Sequence, residues 1–345
     1  MQRFVPLLVL VLGTLLAAFR FERQETPAEV IDRTVKATRD FVLSLPPEQR
    51  AIGWFDYDDE YQRQRWSNLP EGMFERKGWR IGDLSRSSQS ELWGLLGSFL
   101  SDDGFEMVRA NVQCDEALRV RHGRPTPLYG SDEFFLAFLG KPSTTEPWIL
   151  QFGGHHLALE AHFAKGRVRL NPMMNGGNPM NFDWPLVGEE TSVPTDTVTV
   201  RQMAREIDLA FELAASLTPE QSKRAILGDE HVDWRFGPQR SGSLEVAEEG
   251  LPASALNEHQ RALLTSILAE RVEVLHPAHS APVMNELDDE LDRTWFSWYG
   301  PTTPGSAASY RIQGPSVILE FAPQGGASAA MGHVHAIYWD PGLER

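Results

Sequence analysis

One pattern, used twice at a single offset, limits the architectures open to this chain. The stretch Pro147-Trp148-Ile149-Leu150-Gln151-Phe152-Gly153-Gly154-His155-His156-Leu157-Ala158-Leu159-Glu160 reads as a strand, a glycine kink carrying two adjacent histidines, and a second strand. Far downstream, Tyr310-Arg311-Ile312-Gln313-Gly314-Pro315-Ser316-Val317-Ile318-Leu319-Glu320 repeats it without the histidines. Gly140 aligns with Gly300, Gly154 with Gly314, Leu159 with Leu319 and Glu160 with Glu320, all at one offset. Repetition of this kind marks a supersecondary unit used more than once.

The flanking segments recur in the same order. Thr26-Pro27 opens a helix to Leu45, with Val30, Ile31, Val35, Phe41 and Val42 spaced for one face. It ends in Leu45-Pro46-Pro47-Glu48-Gln49. A second helix carries Leu92, Leu95, Leu96, Phe99 and Leu100, with Gly104 suited to a left-handed cap. Phe134–Leu139 is a strand. In the second copy, Met203–Leu217 is a helix ending in Leu217-Thr218-Pro219-Glu220-Gln221, Leu256–Leu275 is a helix, and Thr294–Tyr299 is a strand. The prediction is an α+β fold of two similar helix-plus-antiparallel-strand halves, residues 23–196 and 197–345, related by internal duplication. The tail Met331–Pro341 is a strand beyond the repeat. Asn171–Pro179, rich in Gly, Asn and Pro, reads as a loop. Trp54–Glu60 reads as an extended, half-buried piece. Arg63 and Arg65 either pair with the acids of Asp56–Glu60 or bind a carboxylate.

The formal charge of −16 over 345 residues argues against nucleic acid as a partner. A single cysteine, Cys114, excludes an internal disulfide and a cysteine-based zinc site, and reads as a buried thiol. At the N-terminus, Arg3 precedes an apolar run from Phe4 to Phe19 with Ala17-Ala18 as a small-residue cleavage site. The run is short for a spanning helix. Residues 1–22 are therefore read as a signal peptide of a secreted or periplasmic protein, or as an N-terminal anchor if uncleaved. A membrane is a partner only in the second case.

Chemistry concentrates on histidine. In a strand, alternate side chains share a face, so His333 and His335 point the same way. One or both of His155 and His156 would complete a set of three imidazoles or more, with Glu160 or Glu320 as a carboxylate ligand or a general base. Such sets suit Zn, Fe or Cu with a position open to water or substrate. The competing reading is that these histidines hydrogen-bond within a sheet. Glu160 and Glu320, matched by the repeat, also read as an acid/base pair or as structural strand-end carboxylates. Ser316 stands where His156 stands in the first copy, but no nucleophile elbow surrounds it. Asn175-Gly176-Gly177-Asn178 reads as a turn, or as a backbone cradle for an anion. Ten tryptophans read as core or as sugar-binding faces.

Trp148 with Gly-Gly-His155-His156-Leu, the later Asn178-Pro179, the Leu-x-Pro-Glu-Gln pair and the terminal His333-Val334-His335 with Asp340-Pro341 resemble the DUF3500 family, a domain of unknown function. The resemblance spans Val30 to Pro341. It implies that these motifs belong together and transfers no activity. Trp339 stands where a basic residue is expected in that family's ending, which weakens any role for a terminal arginine. Two functions follow as expectations. One is an exported metal-dependent hydrolase or oxidase acting on a small molecule. The other is a non-catalytic exported protein that binds a metal or small ligand.

Overall fold

The computed structural model describes residues 24–122, 128–185, 197–238, 247–325 and 331–343. The expected signal segment, residues 1–22, lies outside them. No helix among the described residues is long and apolar enough to cross a membrane.

The chain begins with helix α1 (Pro27–Ser44), whose N-terminus is a full capping box: the Thr26 hydroxyl accepts from the Glu29 N–H and the Glu29 carboxylate accepts from the Thr26 N–H. There follow β1 (Trp54–Phe55), α2 (Glu60–Arg63), β2 (Trp79–Arg80), α3 (Arg86–Gly97) and α4 (Asp102–His122). Four strands come next: β3 (Phe135–Leu139), β4 (Trp148–Gly154), β5 (Leu157–Ala164) and β6 (Arg167–Gly177). A separate hairpin, β7 (Asn181–Pro185) with β8 (Thr197–Arg201), leads to α5 (Ala204–Ser216), α6 (Pro219–Ala225), β9 (Ile226–Gly228) and β10 (Leu251–Pro252). Then come α7 (Glu258–Val272), α8 (Pro277–Asp289), β11 (Trp295–Tyr299), β12 (Ser309–Gly314), β13 (Val317–Pro323) and β14 (Val334–Trp339). Helices and a mixed sheet together make the fold α+β.

Twelve of these strands form one sheet, in the order β1-β3-β4-β5-β6-β14-β13-β12-β11-β10, with β2 also on β3 and β9 also on β11. The last strand is thus central, held antiparallel between β6 and β13. One face packs on α1, α3, α4, α5, α7 and α8 through Leu150, Phe152, Leu159, Phe296, Ile312 and Leu319, among others. The opposite face is covered by irregular segments. There Ala158, Met174, Ile318, Ile337 and Trp339 pack with Phe236, Trp66 and Trp234. Burial on both faces explains why the central strands read as unbroken apolar runs.

Several expectations need correction. Asn171–Pro179 is no loop: β6 runs through Gly177, with both Asn171–Pro172 and Asn178–Pro179 peptide bonds cis. The Asn and Gly residues that hid this strand lie on the buried central ladder, where β6 meets β14. An anion cradle there is excluded, because the Gly176 N–H donates to the His156 carbonyl and the Asn175 side chain accepts from Arg271. Gly104 ends no helix. It sits in the first turn of α4, where an added Cβ would lie 2.1 Å from the Val274 carbonyl oxygen. Only Trp54–Phe55 of the expected extended piece is strand. Arg63 and Arg65 stack over the rings of Tyr57 and Tyr61 instead of pairing with the nearby acids. Helix α8 is hidden in the sequence by Pro282, which lies inside it. Cys114 is buried as expected, its thiol directed at the Pro179 carbonyl and pushed up to about 12 by burial.

Candidate metal centre

His155 and His156 are the two residues between β4 and β5. The glycines before them are sterically required. A Cβ on Gly153 would lie 2.4 Å from the Leu157 carbonyl oxygen, and one on Gly154 2.8 Å from the Phe134 ring. Arg76, buried, fixes the kink from outside: one guanidinium nitrogen donates to the carbonyls of Ser67 (2.7 Å), Leu69 (2.7 Å) and Gly154 (2.8 Å). The turn is thereby tied to the segment that covers the sheet.

The second histidine source is the start of β14. His335 lies opposite Gly176 on β6. A Cβ on Gly176 would come within 2.7 Å of the His335 ring and 3.3 Å of the His156 ring. Glycine at this position leaves the space the two imidazoles occupy. His333 Nε2 lies 3.2 Å from His156 Nε2 and 3.1 Å from His335 Nε2. His156 and His335 are buried and His333 half-buried. The ligand atoms of the three lie within 4.8 Å of one another.

This contact is unusual for neutral imidazoles. Each has one N–H and one lone pair. His333 Nε2 can donate to one neighbour, yet it faces two. A shared cation would resolve this, since three ligands at ordinary metal–nitrogen distances in a tetrahedron stand roughly 3.3 Å apart. The charge state agrees. Burial above all, and then the neighbouring histidines, hold His156 and His335 well below the usual imidazole range. Burial, then His155, lowers His333 to about 4. All three present unprotonated nitrogen at neutral pH, the form that binds metals.

The outer contacts orient these rings. His335 Nδ1 is 3.5 Å from the Asn68 side-chain amide, whose oxygen and nitrogen can exchange places, and the His335 ring stands 5.0 Å from Trp234. His155 stacks on His156 with ring centroids 3.6 Å apart. Its Nδ1 lies 2.8 Å from Asp115 Oδ1, and the other oxygen of Asp115 accepts the Gly130 N–H at 2.8 Å. Asp115, His155 and His156 form a second group with ligand atoms within 4.8 Å. Asp115 was not among the sequence candidates.

The two glutamates stand elsewhere. Glu160 accepts from Gln151 (2.7 Å) and meets His162 (2.9 Å). Glu320 accepts the N–H groups of Arg235 (2.7 Å) and Phe236 (2.8 Å) and pairs with Arg311 (2.9 Å). Neither forms a hydrogen bond with His155, His156, His333 or His335 among the described residues. Ser316 lies in the β12–β13 turn, which the strand register puts at the opposite end of the sheet from His335.

The family model described as a protein of unknown function (DUF3500) matches residues 27–344 of the chain. No curated protein and no solved structure matches it.

Proposed function

This chain belongs to the DUF3500 family, and from the histidine cluster it carries we propose that it binds a divalent transition metal through the Nε2 atoms of His156, His333 and His335. The convergence of three unprotonated imidazole nitrogens, drawn from the β4–β5 turn and from the last strand, carries this reading. All-imidazole donors suit Zn, Fe or Cu. We read the protein as a metal-dependent enzyme, a hydrolase or oxidase of a small molecule. When bound, the ion would supply Lewis-acid activation of a water or substrate.

The remaining residues have definable tasks. A carboxylate only accepts, so Asp115 holds the ring proton of His155 on Nδ1. His155 Nε2 is left as a lone pair that makes no hydrogen bond among the described residues. It can take a proton from a group brought to the adjacent centre, and the resulting imidazolium stays paired with Asp115. Arg76 and Asn68 hold the kink and the His335 ring. The Asp115–His155 pair favours catalysis over storage, because a storage site needs no proton acceptor. The deep burial of His156 and His335 supports the second reading, a non-catalytic metal holder.

Two wider readings accompany the site. Duplication is supported by the strand arrangement. β1 runs parallel to β3 as β9 does to β11, β2 runs antiparallel to β3 as β10 does to β11, and the two series meet at β6 and β14. Export is supported by the apolar run from Phe4 to Phe19 that follows Arg3.

Elemental analysis of the purified protein and of a His333→Ala/His335→Ala variant tests the metal reading. We expect near-stoichiometric metal in the wild type and its loss in the folded variant. A folded wild type that takes up no Zn, Fe or Cu on reconstitution sinks it. With cobalt(II) in the site, a visible-band shift on adding azide distinguishes an open catalytic centre from a closed holder.

A further inference from the structure

At the end of the sheet opposite the histidines, a cavity of about 350 Å³ lies beside the β12–β13 turn. That is within the usual range for small-molecule sites. Its lining includes Trp295, Gln313, Pro315 and Ile318, with Arg293 and Glu248 also contributing. Trp295 and Gln313 are directly opposed across β11 and β12.

Gln313 is 4 % exposed. Its amide nitrogen donates to the Ala247 carbonyl, but its Oε1 is buried without a partner. Leaving such an acceptor unpaired carries its full desolvation cost. The Trp295 indole N–H also makes no hydrogen bond among the described residues. The acceptor and the donor thus belong to two residues directly opposed on neighbouring strands, and both residues line the cavity together with Ile318 and Pro315. At the same offset in the first half, Phe135 faces Gly153, a pair that offers neither group.

We propose that this cavity binds a neutral hydroxylated ring of the monosaccharide type. A hydroxyl both donates and accepts, so one ligand can satisfy Gln313 Oε1 and the Trp295 N–H together. The carbon-bound face of such a ring packs on indole and aliphatic surface. Arg293, which lines the cavity, already pairs with Glu290, and Glu248 repels an anion. The site is independent of any metal at the histidines.

Saturation-transfer NMR on the full-length protein, with the methyl glycosides of glucose, galactose and mannose as probes at millimolar concentration, tests this. At least one glycoside should receive magnetisation from the wild type. Binding should weaken by about tenfold or more in Gln313→Leu, which leaves the acceptor's place apolar. Trp295→Phe, which keeps an aromatic ring but removes the N–H, should weaken it to a lesser degree. Both variants should melt cooperatively and keep the wild-type metal content. No transfer to any of the three glycosides overturns the proposal, as does binding that is the same in wild type, Gln313→Leu and Trp295→Phe. If Gln313→Leu fails to fold, the comparison of wild type with Trp295→Phe decides.

Discussion

His333 is the residue on which the cluster depends, because its Nε2 is the atom that touches both other imidazoles. Its pKa has a consequence for the metal-free protein. His333 is lowered from 6.5 to about 4, and His156 and His335 shift in the same direction. Below about pH 6.5 the unfolded chain binds protons at these sites while the folded chain does not, so lowering the pH favours unfolding. Stability is complete above about 6.5 and declines as the pH falls toward 4. Thermal melts in chelator should show this decline, and His156→Ala/His333→Ala/His335→Ala should flatten it over the same window. Equal slopes would mean that the rings are not held neutral. All four candidate histidines could be read from the sequence, because Gly-Gly-His-His and His-x-His stand out in a chain with ten histidines. Asp115 could not be read as easily, being 40 positions from its partner. Its one signal is an acid on the stripe of α4 that buries Val108, Val112 and Leu118. An ionised group on such a stripe needs a buried partner.

Elements meet through a few close approaches. Gly104 lets the start of α4 pack on the backbone at Val274. By helix propensity alone, Gly104→Ala would stabilise by about 1 kcal/mol. The backbone contact wins, and we expect a loss of about 1–3 kcal/mol in urea denaturation, as for an overpacked core. The β12–β13 pair carries a buried Arg311–Glu320 bridge where β4–β5, at the same offset, carries Gln151–Glu160. Arg311→Met leaves the buried Glu320 carboxylate without its cation, held only by the Arg235 and Phe236 N–H groups, and should cost about 3–5 kcal/mol. Gln151→Met leaves Glu160 its contact with His162 and should cost less, about 1–3 kcal/mol. Equal losses would show that charge at this cross-strand position is immaterial. Helices with Ser, Thr or Asn caps and regular apolar spacing, such as α1 and α7, were readable from the chain. Strand β6 was not, because its composition answers to two buried faces and to the histidines beside it, not to a period of two. Helix α8 was obscured by its internal Pro282.

For the whole molecule, the central position of β14 matters most. Ending the chain at residue 325 would remove His333 and His335 and leave β6 and β13 as open edges in the middle of the sheet. Such edges promote association. The truncated protein should elute as aggregate in size exclusion and show no cooperative thermal transition. A monomer with a sharp melt would mean that each half folds alone. Metal, by contrast, should stabilise the complete chain by mass action, by about 4 kcal/mol at a thousandfold excess over Kd. This predicts a melting temperature that rises with metal concentration in the wild type and is constant in His333→Ala/His335→Ala. The same strand order also governs timing during synthesis. Of the strands in the sheet, β14 is synthesised last, yet β6 and β13 pair only through it. The sheet therefore stays divided until β14 has left the ribosome, and His156 first meets His333 and His335 at that moment.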